Sequence, residues 1–164
     1  MRKAYNVLGW IIAGLVMLQA ASIAWGVGGE NKFIEEGGVV DKALIEAAQA
    51  GGEPPFPEVF AFPIHGINGG MIIPVLGLVL VGVSFGARFT HARRRAGVVF
   101  TFIFVQVMLG YSIGDLPALG FLHGLNALLV FASALAVARH RDPATTQARS
   151  TSDAGTDSMT SVAN

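Results

Sequence analysis

Four stretches of the chain carry no Asp, Glu, Lys or Arg: residues 7–27, 64–87, 96–113 and 116–138. Each is close to the about 20 residues with which a helix crosses a bilayer core about 30 Å thick. Helix is the expected form, because it satisfies all of its own backbone hydrogen bonds in lipid and a lone strand cannot. The pattern predicts an all-α fold, a polytopic membrane four-helix bundle over residues 1–141. One alternative stays open at the start of the chain. Met1-Arg2-Lys3, an apolar run and then Ser22-Ile23-Ala24 also read as a cleavable signal peptide, which would leave three spans.

The segment 28–63 is too long for a simple connector. Within it, residues 39–50 place Val40, Ala43, Leu44, Ala47 and Ala48 on one helical face, opposite Asp41, Lys42 and Glu46. Gly37-Gly38 and Gly51-Gly52 bracket this helix, which is expected to lie at the membrane surface as a lid. The run Glu53-Pro54-Pro55-Phe56-Pro57 is expected to be extended. The joints between spans two and three and between three and four are short, so those spans are expected to pack as antiparallel neighbours. Residues 142–164, rich in Thr, Ser, Ala and Asp, are expected to form a disordered cytoplasmic tail.

Charge sets the orientation. Arg2, Lys3, Arg88, Arg93, Arg94, Arg95, Arg139 and Arg141 all fall on one side of a four-span bundle. That side is expected to be cytoplasmic, giving an N-in/C-in protein of the inner membrane. Glu30, Glu35, Glu36, Asp41, Glu46, Glu53, Glu58 and Asp115 fall on the other. Composition agrees: 52% of residues are hydrophobic and 13% charged, against about 25% charged in soluble domains. A formal net charge of zero gives no reason to expect a nucleic-acid partner. The absence of cysteine excludes disulfides, thiolate zinc sites, iron–sulfur clusters and covalent c-type haem attachment.

An internal echo carries the chemistry. Span two opens on Ile64-His65-Gly66-Ile67-Asn68, and span four contains Leu122-His123-Gly124-Leu125-Asn126 near its start. Gln19 and Gln106 occupy matching places in spans one and three. The bundle is thus expected to consist of two similar hairpins in parallel repeat. His and Asn three apart share a helix face, and a polar stripe within the membrane faces the bundle interior. Two opposed imidazoles beside small residues suit a six-coordinate b-type haem. The candidate metal ligands are therefore His65 and His123, with Gly66, Gly124, Asn68 and Asn126 as further cofactor-binding positions. The alternative is a non-catalytic scaffold or accessory subunit in which the histidines only pack and the asparagines join helices. Gln19 and Gln106 are expected to serve helix packing. His91 and His140 are expected in a solvated charge cluster, and Tyr5, Trp10 and Trp25 in interfacial belts. Pro74 is expected to kink span two.

With His65 and His123 at one end of the second and fourth spans and the 28–63 loop after the first, the chain resembles one four-helix half of the haem A synthase family. It also resembles small uncharacterised four-span bacterial membrane proteins, through the last-helix run 122–129. The resemblance implies a haem-binding bundle with those two histidines as ligands, acting in electron transfer or haem handling. Three departures weigh against catalysis. Phe62 stands where the family's oxidising half has a glutamate, the loop cysteine pair is missing, and there is one half instead of two. An enzymatic role is thus not expected; if present, it would be that of a haem-modifying enzyme or membrane oxidoreductase component. The expected partners are the lipid bilayer and either a second copy of the chain or a membrane redox protein.

Overall fold

The computed structural model describes residues 1–87 and 89–140, all helix and loop. The expected tail, 142–164, and Arg141 lie outside the described residues. Four helices are long and apolar enough to cross a membrane, the pattern of a multi-pass membrane protein.

Helix α1 runs over Arg2–Glu35, well beyond the apolar stretch at both ends. Gly37, at φ 93°, turns the chain out of it. The short amphipathic helix α2 covers Lys42–Gln49 and is capped by Asp41, whose carboxylate accepts from the Leu44 amide at 2.8 Å. Gly51, at φ 86°, closes it. A 3-10 turn over Pro57–Phe60 then leads into α3, Ala61–Ile67. The chain continues through a π turn, Asn68–Ile72, into α4, Ile73–Ser84. Helices α5, Ala92–Ser112, and α6, Leu119–Ala138, complete the fold.

The feature expected as a kink at Pro74 is this π turn. Proline has no N–H for the carbonyl four residues back, and the turn before it widens, with the Ile73 amide reaching back to Asn68 O. Around the bundle, α1 packs on α4 and α6, and α5 packs on the same two helices. Helices α3–α4 and α6 therefore stand diagonally opposite.

The close-packed core lies in the half that holds the basic residues. Tyr5, Ile12, Leu80, Val99, Ile103, Val130 and Val137 are fully buried there. Two aromatic residues tie this end together. The Tyr5 hydroxyl donates to Ala92 O at 3.1 Å, and its ring meets Phe89 edge-on at 5.1 Å. Tyr5 is thus a core residue and not part of an interfacial belt, because its hydroxyl finds a carbonyl inside the bundle. Trp10 and Trp25 are half exposed.

His140 also departs from expectation. Its ring stacks on Phe89 at 4.3 Å, its Nδ1 accepts from Arg95 at 2.8 Å, and its carbonyl accepts from Asn6 at 3.0 Å. It is an organised contact between helix ends, not a solvated charge. The outward surface of the helices is apolar, with Leu18, Phe104, Phe121 and Leu128 among many exposed large side chains. Such a surface suits lipid and not water.

Candidate functional site

Towards the end that carries the 28–63 segment, the packing opens and the two histidines face the space left. Their ring centroids are 6.3 Å apart with planes inclined by 51°. Each ring is held in the same way. His65 Nδ1 lies 3.1 Å from Gln19 O, and His123 Nδ1 lies 3.1 Å from Gln106 O. A carbonyl oxygen only accepts, so Nδ1 carries the hydrogen in both rings, which leaves Nε2 as the lone-pair nitrogen of the neutral form. This is the arrangement that fixes the tautomer and orientation of a metal-ligating imidazole.

The asparagines complete two copies of one network. Asn68 donates to Leu15 O at 3.1 Å and to Gln19 Oε1 at 3.0 Å. Asn126 donates to Phe102 O at 2.9 Å and to Gln106 Oε1 at 2.7 Å. Each glutamine therefore receives the histidine on its backbone and the asparagine on its side chain. The asparagine also takes the carbonyl one turn earlier, which locks helix rotation. The asparagines thus hold helices in register. The role of the glutamines is larger than the packing expected of them. Their matching positions were visible in the sequence, but nothing there shows that the backbone carbonyl of each becomes the imidazole's partner.

The glycines fall into two classes. A Cβ at Gly66 or Gly124 would meet nothing within 4 Å, so neither is there to let helices approach. They border open space instead. A Cβ at Gly110 would come 3.1 Å from His123 Cε1, and one at Gly70 would come 3.0 Å from Tyr111 Oη. Those glycines give the ring and the hydroxyl their room.

Two cavities flank the histidine pair along the bundle. One, of about 410 Å³, reaches towards the basic end past Ile73, Ile103 and Phe131. The other, of about 460 Å³, reaches the opposite way past Gly70, Gly110 and Tyr111. His65, His123, Gln19 and Gln106 border both. Each volume falls within the roughly 300–1,000 Å³ usual for cofactor and ligand sites. A larger cavity, about 700 Å³, lies elsewhere, between α2 and the proline-rich run, and Glu30 is its one ionisable lining residue among those described. The apolar face of α2 borders that space through Leu44, Ile45 and Ala48, and Val40, expected on that face, precedes the helix and borders it too.

Among the described residues, no three His, Cys, Asp or Glu side chains come together to hold a metal ion. A zinc site, which takes three or four protein ligands, therefore has no donor set here. Two imidazoles between flanking apolar cavities do fit a planar macrocycle that supplies its own equatorial ligands. Comparison with protein families, with curated proteins and with solved structures finds no match for this chain.

Proposed function

We propose that this chain is a haem-b-binding protein of the cytoplasmic membrane, with His65 and His123 as axial ligands, serving electron transfer or haem handling. The observation that carries the reading is the 6.3 Å between ring centroids. Two collinear metal–imidazole bonds of about 2 Å, with roughly 1 Å from each Nε2 to its ring centre, call for about 6 Å. The Nδ1–H bonds to Gln19 O and Gln106 O leave both Nε2 atoms available as ligands.

When bound, the haem supplies reversible one-electron chemistry. The chain's own groups orient and protect it. Asn68 and Asn126 hold the two glutamine-bearing helices at fixed rotation, and Gly66 and Gly124 leave the helix surfaces flat beside the rings. The apolar walls at Ile73, Ile103 and Phe131 exclude water on one side. Catalysis is not part of the proposal, since one histidine pair holds one haem.

The repeated His–Asn–Gln network supports a bundle of two hairpins, α1 with α3–α4 and α5 with α6. Arg2, Lys3, Arg93, Arg94, Arg95 and Arg139 gather at one end, which the positive-inside rule assigns to the cytoplasm. The haem site then lies towards the outer face, N-in/C-in. A membrane redox protein or a second copy of the chain is the expected partner.

A second reading has its own support. Packed aromatic rings also sit about 4.5–7 Å apart, so the histidines of a scaffold subunit would show the same spacing. The absorption spectrum of protein purified from a haem-replete host separates the two. A low-spin b-type spectrum that is lost in both His65→Ala and His123→Ala supports haem ligation. Colourless wild-type protein supports the scaffold.

A further inference from the structure

We infer that the two histidines are inequivalent: His123 is the anchoring ligand, and His65 is the exchangeable one, yielding its place to a small external ligand. This rests on the haem-binding reading above. The two networks share their hydrogen bonds but not their backbones. His123 and Asn126 lie within an uninterrupted α-helix, Leu119–Ala138. His65 lies near the end of the seven-residue α3, and Asn68 opens the π turn Asn68–Ile72. Single π turns interrupt α-helices mostly at functional sites.

The side chains differ in the same direction. Asn68 is 3% exposed, and its Oδ1 is buried with no hydrogen-bond partner. Asn126 has no such orphaned atom. A buried acceptor without a donor raises the energy of the closed state, so motion that brings water or a donor to it is favoured. Downstream of His65 come Gly69 and Gly70, where the other copy has Ala127 and Leu128. Glycine is the poorest helix former after proline. The His65 segment is therefore the one that opens locally, while α6 stays closed. With haem bound, the exchange would return the electron pair to His65 Nε2, and the incoming ligand would donate a pair of its own. No electron or proton is transferred.

The test uses the full haem-loaded chain, reduced and titrated with carbon monoxide. The expected result is a carbonyl adduct in the wild type. His65→Gly is expected to retain haem in five-coordinate form and bind carbon monoxide at once, whereas His123→Gly loses haem. A π turn holds one residue more than an α turn, so deletion of Gly70 removes the extra residue. That deletion should slow adduct formation by about tenfold or more. Absence of an adduct in the wild type, or haem loss in the reverse order, overturns the inference. A readout without haem accompanies these. In the apo-protein, amides of 69–73 should exchange hydrogen about tenfold or more faster than those of 127–131, and equal rates overturn the inference. Wild-type protein that takes up no haem would sink the parent reading, and the exchange contrast would still decide the inequivalence.

Discussion

The link between Asn126 and Gln106 can be measured as a coupling energy. Asn126 makes two interhelical bonds, 2.9 Å to Phe102 O and 2.7 Å to Gln106 Oε1. Interhelical hydrogen bonds within membranes average about 0.6 kcal/mol and reach about 1.7. Asn126→Leu removes both and should cost about 1–3 kcal/mol. Gln106→Leu removes one and leaves the Asn126 bond to Phe102 O, so about 0.5–1.5 kcal/mol is expected. Once Asn126 is gone, losing the Gln106 amide should matter little. The double variant should then fall short of the summed costs by about 0.5–1.5 kcal/mol. Reversible unfolding in mixed micelles, followed by the fluorescence of Trp10 and Trp25, gives the three free energies. The same cycle on Asn68 and Gln19 tests the repeat, with coupling of the same sign. Costs that add to within about 0.3 kcal/mol in both cycles would refute the reasoning, because side chains sharing a bond do not act independently.

Other expectations follow from single contacts. A Cβ at Gly9 would sit 2.6 Å from the backbone nitrogen of Ala138, so Gly9→Ala should force α1 from α6 and cost about 1–3 kcal/mol in the same assay. Gly124→Ala meets nothing within 4 Å and should leave stability unchanged or raise it by up to about 1 kcal/mol through helix propensity. Gly124→Leu should fold as well but lose haem uptake, since its side chain enters the cavity beside His123. Tyr5→Phe deletes the 3.1 Å bond to Ala92 O and should lower the unfolding free energy by about 1 kcal/mol, the usual net worth of such a bond.

Much of the architecture was legible in the chain because lipid imposes a blunt rule. Uncharged runs of helix-spanning length must be helices, and all four appear. The ends were less legible. Gly28 and Gly29 read as the start of a loop, yet α1 continues to Glu35. The reason is tertiary: a Cβ at Gly29 would run into the Glu58 side chain, and one at Gly26 would lie 3.2 Å from the Phe62 ring. These glycines serve packing by the 3-10 turn and α3, which outweighs their low helix propensity. The short helix after Asp41 was legible from its amphipathic spacing and the glycine pairs that bracket it, whereas the Asp41 cap emerged only in the structure. The histidine pair was legible from the repeated His-Gly-x-Asn, because equal positions in two spans imply equal depth. The carbonyls of Gln19 and Gln106 were not, since backbone partners leave no mark in side-chain identity. The stacking of His140 on Phe89 was hidden for a related reason: arginine neighbours in the sequence suggested solvent, whereas the ring packs against Phe89 and meets Arg95 from another helix.

The most direct test of the account is electron paramagnetic resonance of the oxidised, haem-loaded protein. One haem per chain with the low-spin signal of two imidazole ligands is predicted, and that signal should vanish when either His65 or His123 is replaced. Failure of the folded protein to take up haem, or a low-spin signal that survives both replacements, would contradict it.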